Sequence, residues 1–435
     1  MIEEFIEATR GPRVQVRVLP EYAARYQSMF RWITKRLDTM IGSGQPADRL
    51  LVIYSHTGEA ETVSLGGQRI VVFDQYLGQI MNRLNRLLFE SAPVTEVDAY
   101  LCKLFALRFL CAGRPREALE YATLYHAWSE RLTSADYASS AARIMFTMVQ
   151  ECFVIAHELS HCIFQQEQEP VVRAMSWWAV ATRIEARESD ENRAQLPPDD
   201  LQVSYLRDVY TALDRRFGEA TEEELAERQA RRIEDVLPPR VLSPAPELAM
   251  DMMRRAVADP RLGEECVCDA MALNVTAQWA KKQLRMPATK ALSAAMVGLH
   301  HLRLLRHIEG LARRGPGPHE EISPLLHETQ TRLTLARLSA QTYAWLPLIA
   351  PRKLRPPGKS GHAPGLRQAL AFENERYAEV IFDQLLFELF EEDVAEPISR
   401  LRAAGLHDEA PGAPDRWTQV LRLTGLADLT DEPGG

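Results

Sequence analysis

Apolar positions recur mostly at spacings of three and four along the chain, and these stretches predict helices over 20–41, 73–90, 95–112, 115–131 and 134–168. Short apolar runs at 14–19 and 49–55 predict strands. In the segment AETVSLGGQRIVVFD, Gly66-Gly67 separates two β-branched stretches, a hairpin signal, and the periodicity turns helical near Asp74. Three more helical stretches, 288–313, 321–348 and 365–394, are divided by GPGPHEE and APRKLRPPGKSGHAPG, whose Pro and Gly content marks loops. The expected fold class is mainly α, formally α+β, with one small sheet.

One helix departs from the common pattern of a single apolar stripe. Ile144, Met145, Phe146, Met148, Val149, Phe153, Val154, Ile155, Leu159, Ile163 and Phe164 cover every side of the 134–168 stretch, as in a helix buried all round. Within it stands His-Glu-Leu-Ser-His, residues 157–161. On a helix, a spacing of four brings His157 and His161 to one face, a turn apart, where both imidazoles reach one tetrahedral Zn²⁺. Glu158 then lies beside the metal, able to take a proton from zinc-bound water and pass it to a leaving amine. Buried histidines and a glutamate with no such partner carry a desolvation cost. The alternative is a chance motif whose histidines are structural.

A peptidase of this kind needs a third protein ligand, and the best candidate segment is EECVCDAMA, residues 264–272. Its Glu265 and Asp269 are four apart, and the segment resembles the ExxxD pattern on the second active-site helix of the gluzincin metallopeptidases. That resemblance implies a zincin-like helical core in which Glu265 closes the zinc shell and Asp269 accepts from the free nitrogen of His157 or His161. Glu264 is the substitute ligand if the register slips, and an ordinary acidic first turn is the plain alternative for both glutamates. The resemblance also implies a strand at the cleft edge against which substrate main chain lies; residues 68–73 are the expected strand, unless the hairpin only caps the helices. An oxyanion donor is sought among His300, His301 and His307, with His300 first, although each also fits an ordinary histidine.

Three regions follow: an N-terminal strand and helix (1–44), a catalytic core (45–313) and a C-terminal helical region (314–435). Residues 186–240, dense in charge and carrying two Pro-Pro pairs, form an insertion between the two ligand-bearing helices. It serves as a cleft lid, a partner surface or a solvated excursion. Trp177-Trp178 is expected to pack, and Lys353, Arg355 and Lys359 to lie in a solvated basic loop.

A net charge of −9 argues against a general nucleic-acid binder. The acidic start MIEEFIEATRGPR lacks a leader's apolar core, and no run of eighteen apolar residues offers a membrane span. The six cysteines sit in apolar helical stretches and read as reduced, cytoplasmic packing residues, with a thiolate ligand or redox role at Cys162, Cys266 or Cys268 left open. The functional expectation is a soluble zinc endopeptidase acting on protein or peptide substrates, with His157, His161 and Glu265 as ligands and Glu158 as base and acid. The alternatives are a zinc-stabilised interaction or sensor protein without turnover, and a metal-free helical scaffold. A looser similarity to Lit-type phage-exclusion peptidases implies a bacterial stress or defence role and a latent state opened by a regulatory partner.

Overall fold

The computed structural model describes residues 20–41, 47–89, 94–129, 141–164, 195–196, 241–242, 259–314 and 416–426, the helical positions 331–336, and isolated helical positions between 252 and 258 and at 328 and 339. The described residues are mostly helical, with a small three-stranded sheet. In order come α1 (Pro20–Ile41), β1 (Arg49–Ile53), β2 (Ala60–Leu65), β3 (Gln68–Asp74), α2 (Gln75–Phe89), α3 (Val94–Cys111), α4 (Pro115–Ser129), α5 (Ala141–Phe164), the two-residue strands β4 (Gln195–Leu196) and β5 (Val241–Leu242), α6 (Pro260–Gln283), α7 (Ala288–Arg314) and α8 (Arg416–Leu423). The expected strand at 14–19, the helix at 365–394, Trp177-Trp178, the basic loop and nearly all of the charged insertion lie outside the described residues.

The three-stranded sheet has the order β1-β3-β2, with β3 parallel to β1 and antiparallel to β2. Gly66 and Gly67, at φ 57° and 79°, turn β2 into β3; two successive left-handed residues define the tight hairpin that side chains with a Cβ resist. This order corrects the expected cleft strand. Residues 68–73 form the central strand, hydrogen-bonded on both sides, whereas the sheet edge beside α5 is β2. A hairpin signal establishes which strands pair, but not which of them a third strand will cover.

Asp74 joins sheet to helix. Its buried carboxylate accepts from the Ser55, Gly58 and Tyr76 amides at 3.1, 3.0 and 2.9 Å and from the Ser55 and Thr57 hydroxyls. The bond to Tyr76 caps α2 at its first turn, and the others fix the loop 55–58. A carboxylate held by this many donors is satisfied despite full burial.

Among the described elements, helix α5 is packed by α6, α7, α2, α1 and the sheet. Val149, Cys152, Phe153, Ile155, Ala156, Leu159 and Cys162 are buried on its several faces, as the all-round apolar pattern requires. Polar pins fix its rotation. Glu151, fully buried, receives Arg25 at 2.6 Å and the Tyr26 hydroxyl at 2.8 Å, both from α1. Gln150 and Asn85 exchange amide bonds at 2.8 and 2.9 Å, and Asn85 also meets Thr147 and His301. Among the described residues no helix is long and apolar enough to cross a membrane.

Candidate metal centre

Because α5 and α6 pack side by side, the two segments singled out in the sequence face each other. On α5, His157 is 6% exposed, and His161 and Glu158 are partly buried. On α6, Asp259 caps the helix through the Arg261 and Leu262 amides with Pro260 in the first turn. Glu264 and Glu265 therefore fall past that first turn, and the acidic-first-turn alternative does not describe them. Glu265 and Asp269 both reach the imidazoles.

The contacts form two shells. The Nε2 atoms of His157 and His161 approach to 3.1 Å, and Glu265 lies across them, with Oε2 3.4 Å from the first and Oε1 3.7 Å from the second. Behind them, Asp269 Oδ1 stands 2.9 Å from His157 Nδ1 and Glu264 Oε1 stands 2.8 Å from His161 Nδ1. The His157 contact is close but poorly aligned for a hydrogen bond. Each imidazole thus meets a carboxylate at Nδ1 and turns Nε2 inward. An acceptor at Nδ1 keeps a proton there, so that a metal ion at the centre would displace the proton of Nε2 and take its lone pair. Glu264, the substitute ligand of the sequence reading, faces the outer side of His161.

Charge in this cluster is tightly coupled. Burial disfavours a charged His157, but Asp269 and then Glu265 outweigh it and raise the imidazole to about 9. Burial likewise opposes ionisation of Glu265 and Asp269, yet Arg332 and His157 hold both below the ordinary carboxylate range. Arg332 comes from the helical residues 331–336 and is 6% exposed. Its Nε and Nη2 donate to the two oxygens of Asp269, each at 2.9 Å, while Nη1 stands 2.7 Å from Glu265 Oε2.

The donor set suits a zinc ion. Two imidazoles and a carboxylate are a familiar zinc set, and bonds of about 2.0–2.2 Å to a tetrahedral ion space the ligand atoms about 3.3–3.5 Å apart. The three inner separations bracket that spacing, and one ligand atom from each residue falls within 4.8 Å of the others. Glu265 Oε2 is moreover a buried acceptor with no aligned hydrogen-bond donor, despite the nearby Nη1.

His157 and Glu158 open onto a cavity of 710 Å³. Gly58, Glu59, Ala60 and Glu61, at the start of β2, line one wall; Arg303 and Arg306 of α7, with Arg332, line another. Thr62 on β2 donates its hydroxyl to the Glu158 carbonyl at 2.7 Å and lies 3.2 Å from Glu158 Oε2. His300 is not among the lining residues; it is buried in α7, where burial and then Arg303 push it down to about 3. His301 is buried too and bonds Asn85 at 3.0 Å. The arginines, not these histidines, reach the cavity from α7.

No disulfide joins any of the six cysteines, and only Cys111 is exposed. Burial pushes the thiols of Cys266 and Cys268 well above their ordinary value and that of Cys162 up to about 11, and none of the three belongs to the group of donor atoms that converges at the centre.

Sequence reasoning missed Arg332, Arg306 and Thr62. Arg332 left a faint signal: it shares helical spacing with Leu335, Ala336 and Ser339, all buried, and an arginine on a buried stripe demands an acidic partner. Thr62 left none, since its partner is 96 positions away. Comparisons with protein-family models, with curated proteins and with solved structures return no match for this chain.

Proposed function

We propose that the chain is a zinc-dependent peptidase with a zincin-like core, in which His157, His161 and Glu265 hold the ion and Glu158 moves the proton. The observation that carries this reading is the convergence of both Nε2 atoms and the Glu265 carboxylate beside a cavity that Glu158 also lines. Zinc held there supplies Lewis acidity, polarising a carbonyl and making water more acidic. Glu158 accepts the proton of the attacking water and delivers it to the departing amine. Thr62 holds the main chain at Glu158 and orients its carboxylate. Strand β2, at the sheet edge bordering the cavity, receives an extended peptide along its outer side, and side-chain selection falls to the cavity walls. In place of His300, the oxyanion donor is sought between Arg303 and Arg306, the α7 arginines that line the cavity beside Arg332.

The test is metal analysis of the full chain purified without added zinc, followed by proteomic comparison of cells holding wild-type protein or Glu158→Gln. The proposal expects about one zinc per chain in both, from the one three-ligand cluster among the described residues, and new peptide termini only with wild type. Zinc without any Glu158-dependent cleavage would favour a zinc-stabilised protein without turnover.

A further inference from the structure

The two shells around the histidines are tied together by one cation from a distant part of the chain. Arg332 lies 63 positions beyond Asp269, outside both segments that the sequence marks. Its planar guanidinium grips Asp269 through Nε and Nη2, the fork-to-carboxylate arrangement that fixes the carboxylate's plane as well as its distance. With that plane set, Oδ1 is presented to His157 Nδ1 at 2.9 Å. The remaining nitrogen, Nη1, stands 2.7 Å from Glu265 Oε2, the carboxylate that spans the two Nε2 atoms. One buried side chain therefore touches both the group that orients His157 and the group that completes the inner donor set.

We infer that Arg332 is a positioning residue of the metal centre: it aligns Asp269 against His157 and restrains Glu265 opposite the two imidazoles. This inference rests on the zinc reading above. A buried carboxylate without a counter-charge carries a desolvation cost that favours turning it toward solvent and away from the histidines. The Arg332 fork holds both carboxylates in place. It also offsets part of the negative charge of Glu265, Asp269 and Glu264, so that the centre is held by geometry more than by excess charge. A lysine cannot replace it, since a single ammonium cannot form the fork and reach the second carboxylate together.

The experiment measures zinc affinity of the full chain by competition with a chromophoric chelator, and the visible spectrum of the Co²⁺-loaded protein, for wild type, Arg332→Gln and Arg332→Lys. Loss of an outer partner of this kind weakens metal affinity by about 10–100-fold. That loss is expected for Gln, with Lys remaining within about threefold of Gln because the fork is not rebuilt. The cobalt ligand-field bands are expected to shift or lose intensity in both variants, a change that a merely structural role does not cause. If Arg332→Gln does not fold, the charge-balanced Asp269→Asn/Arg332→Gln pair takes its place beside Asp269→Asn. The pair should lose about as much affinity as Asp269→Asn alone, because the two residues act as one unit. Wild-type affinity and an unchanged cobalt spectrum in the variants overturn the role of Arg332 alone. Wild-type protein that binds neither ion overturns the zinc reading beneath it.

Discussion

The Thr62 hydroxyl donates to the backbone carbonyl of Glu158 at 2.7 Å, pinning the edge strand of the sheet to the middle of the HELSH turn. The same hydroxyl lies 3.2 Å from Glu158 Oε2. A hydroxyl carries one proton, and the shorter contact takes most of it, so the carboxylate is steered without being fully engaged. Thr62→Val keeps the shape of the side chain and removes the donor. Zinc content should be unchanged, while kcat/KM for any cleaved peptide falls by about tenfold, equivalent to one hydrogen bond of about 1.4 kcal/mol. Loss of zinc in this variant would refute the assigned role.

The two adjacent glutamates of α6 should behave differently. Glu265→Gln removes the inner carboxylate and is expected to abolish stable zinc binding, whereas Glu264→Gln removes the outer partner of His161 and weakens it by about 10–100-fold. Equilibrium dialysis against graded zinc buffers distinguishes them. The reverse order would show Glu264 to be the ligand, and equal losses would refute the assignment of one inner and one outer glutamate.

Acid should destabilise the fold through the histidines of α7. Burial, helped by Arg303 at His300 and by His300 at His301, pushes both imidazoles down to about 3 in the folded chain. Both groups are neutral in folded and unfolded chains above about pH 6.5, and their stabilising contribution is complete there. Below that pH the unfolded chain binds protons that the folded chain refuses, so stability falls steadily until about pH 3. The slope is on the order of 1.4 kcal/mol per pH unit for each histidine. Urea midpoints between pH 7 and 5 measure it, and His301→Gln should flatten the decline.

Gly78→Ala should destabilise, against the usual rule. In a helix interior this change ordinarily stabilises by about 0.5–1 kcal/mol. At this position an added Cβ meets Glu151 Oε1, the carboxylate that binds Arg25 and Tyr26. Displacing it strains an ion pair whose carboxylate is buried but whose arginine is 37% exposed, and a net loss of about 1–2 kcal/mol is expected. Thermal melts should show a lower Tm for Gly78→Ala and a smaller effect when Glu151→Gln is already present.

Several elements were legible because their signals are local. Helices α1 to α4 and α7 begin and end within a few residues of the periodic stretches, and Gly66-Gly67 turns where two adjacent left-handed residues are needed. The all-round apolar pattern of α5 announced its burial on several faces. The order of the strands was not legible: the hairpin signal pairs β2 with β3, but that β1 joins the far side of β3 in parallel, leaving β3 central, depends on how the sheet assembles in three dimensions. The arginine wall of the cavity was missed for a related reason. Arg303 and Arg306 look like ordinary solvated positions of α7 until the neighbouring wall is known.

The sequence by itself determined the chemistry on offer: two histidines one helical turn apart with a glutamate between them, and a second pair of acids at the same spacing, because a helix converts residue spacing directly into direction. Only the tertiary structure decided their partnership. It set α6 against α5 so that Glu265 faces both Nε2 atoms, gave Glu264 and Asp269 to the outer nitrogens, brought in Arg332 and Thr62, and moved the sheet edge from β3 to β2. Contacts across 63 to 103 positions depend on how whole helices and strands pack, and no local pattern of residues encodes that packing.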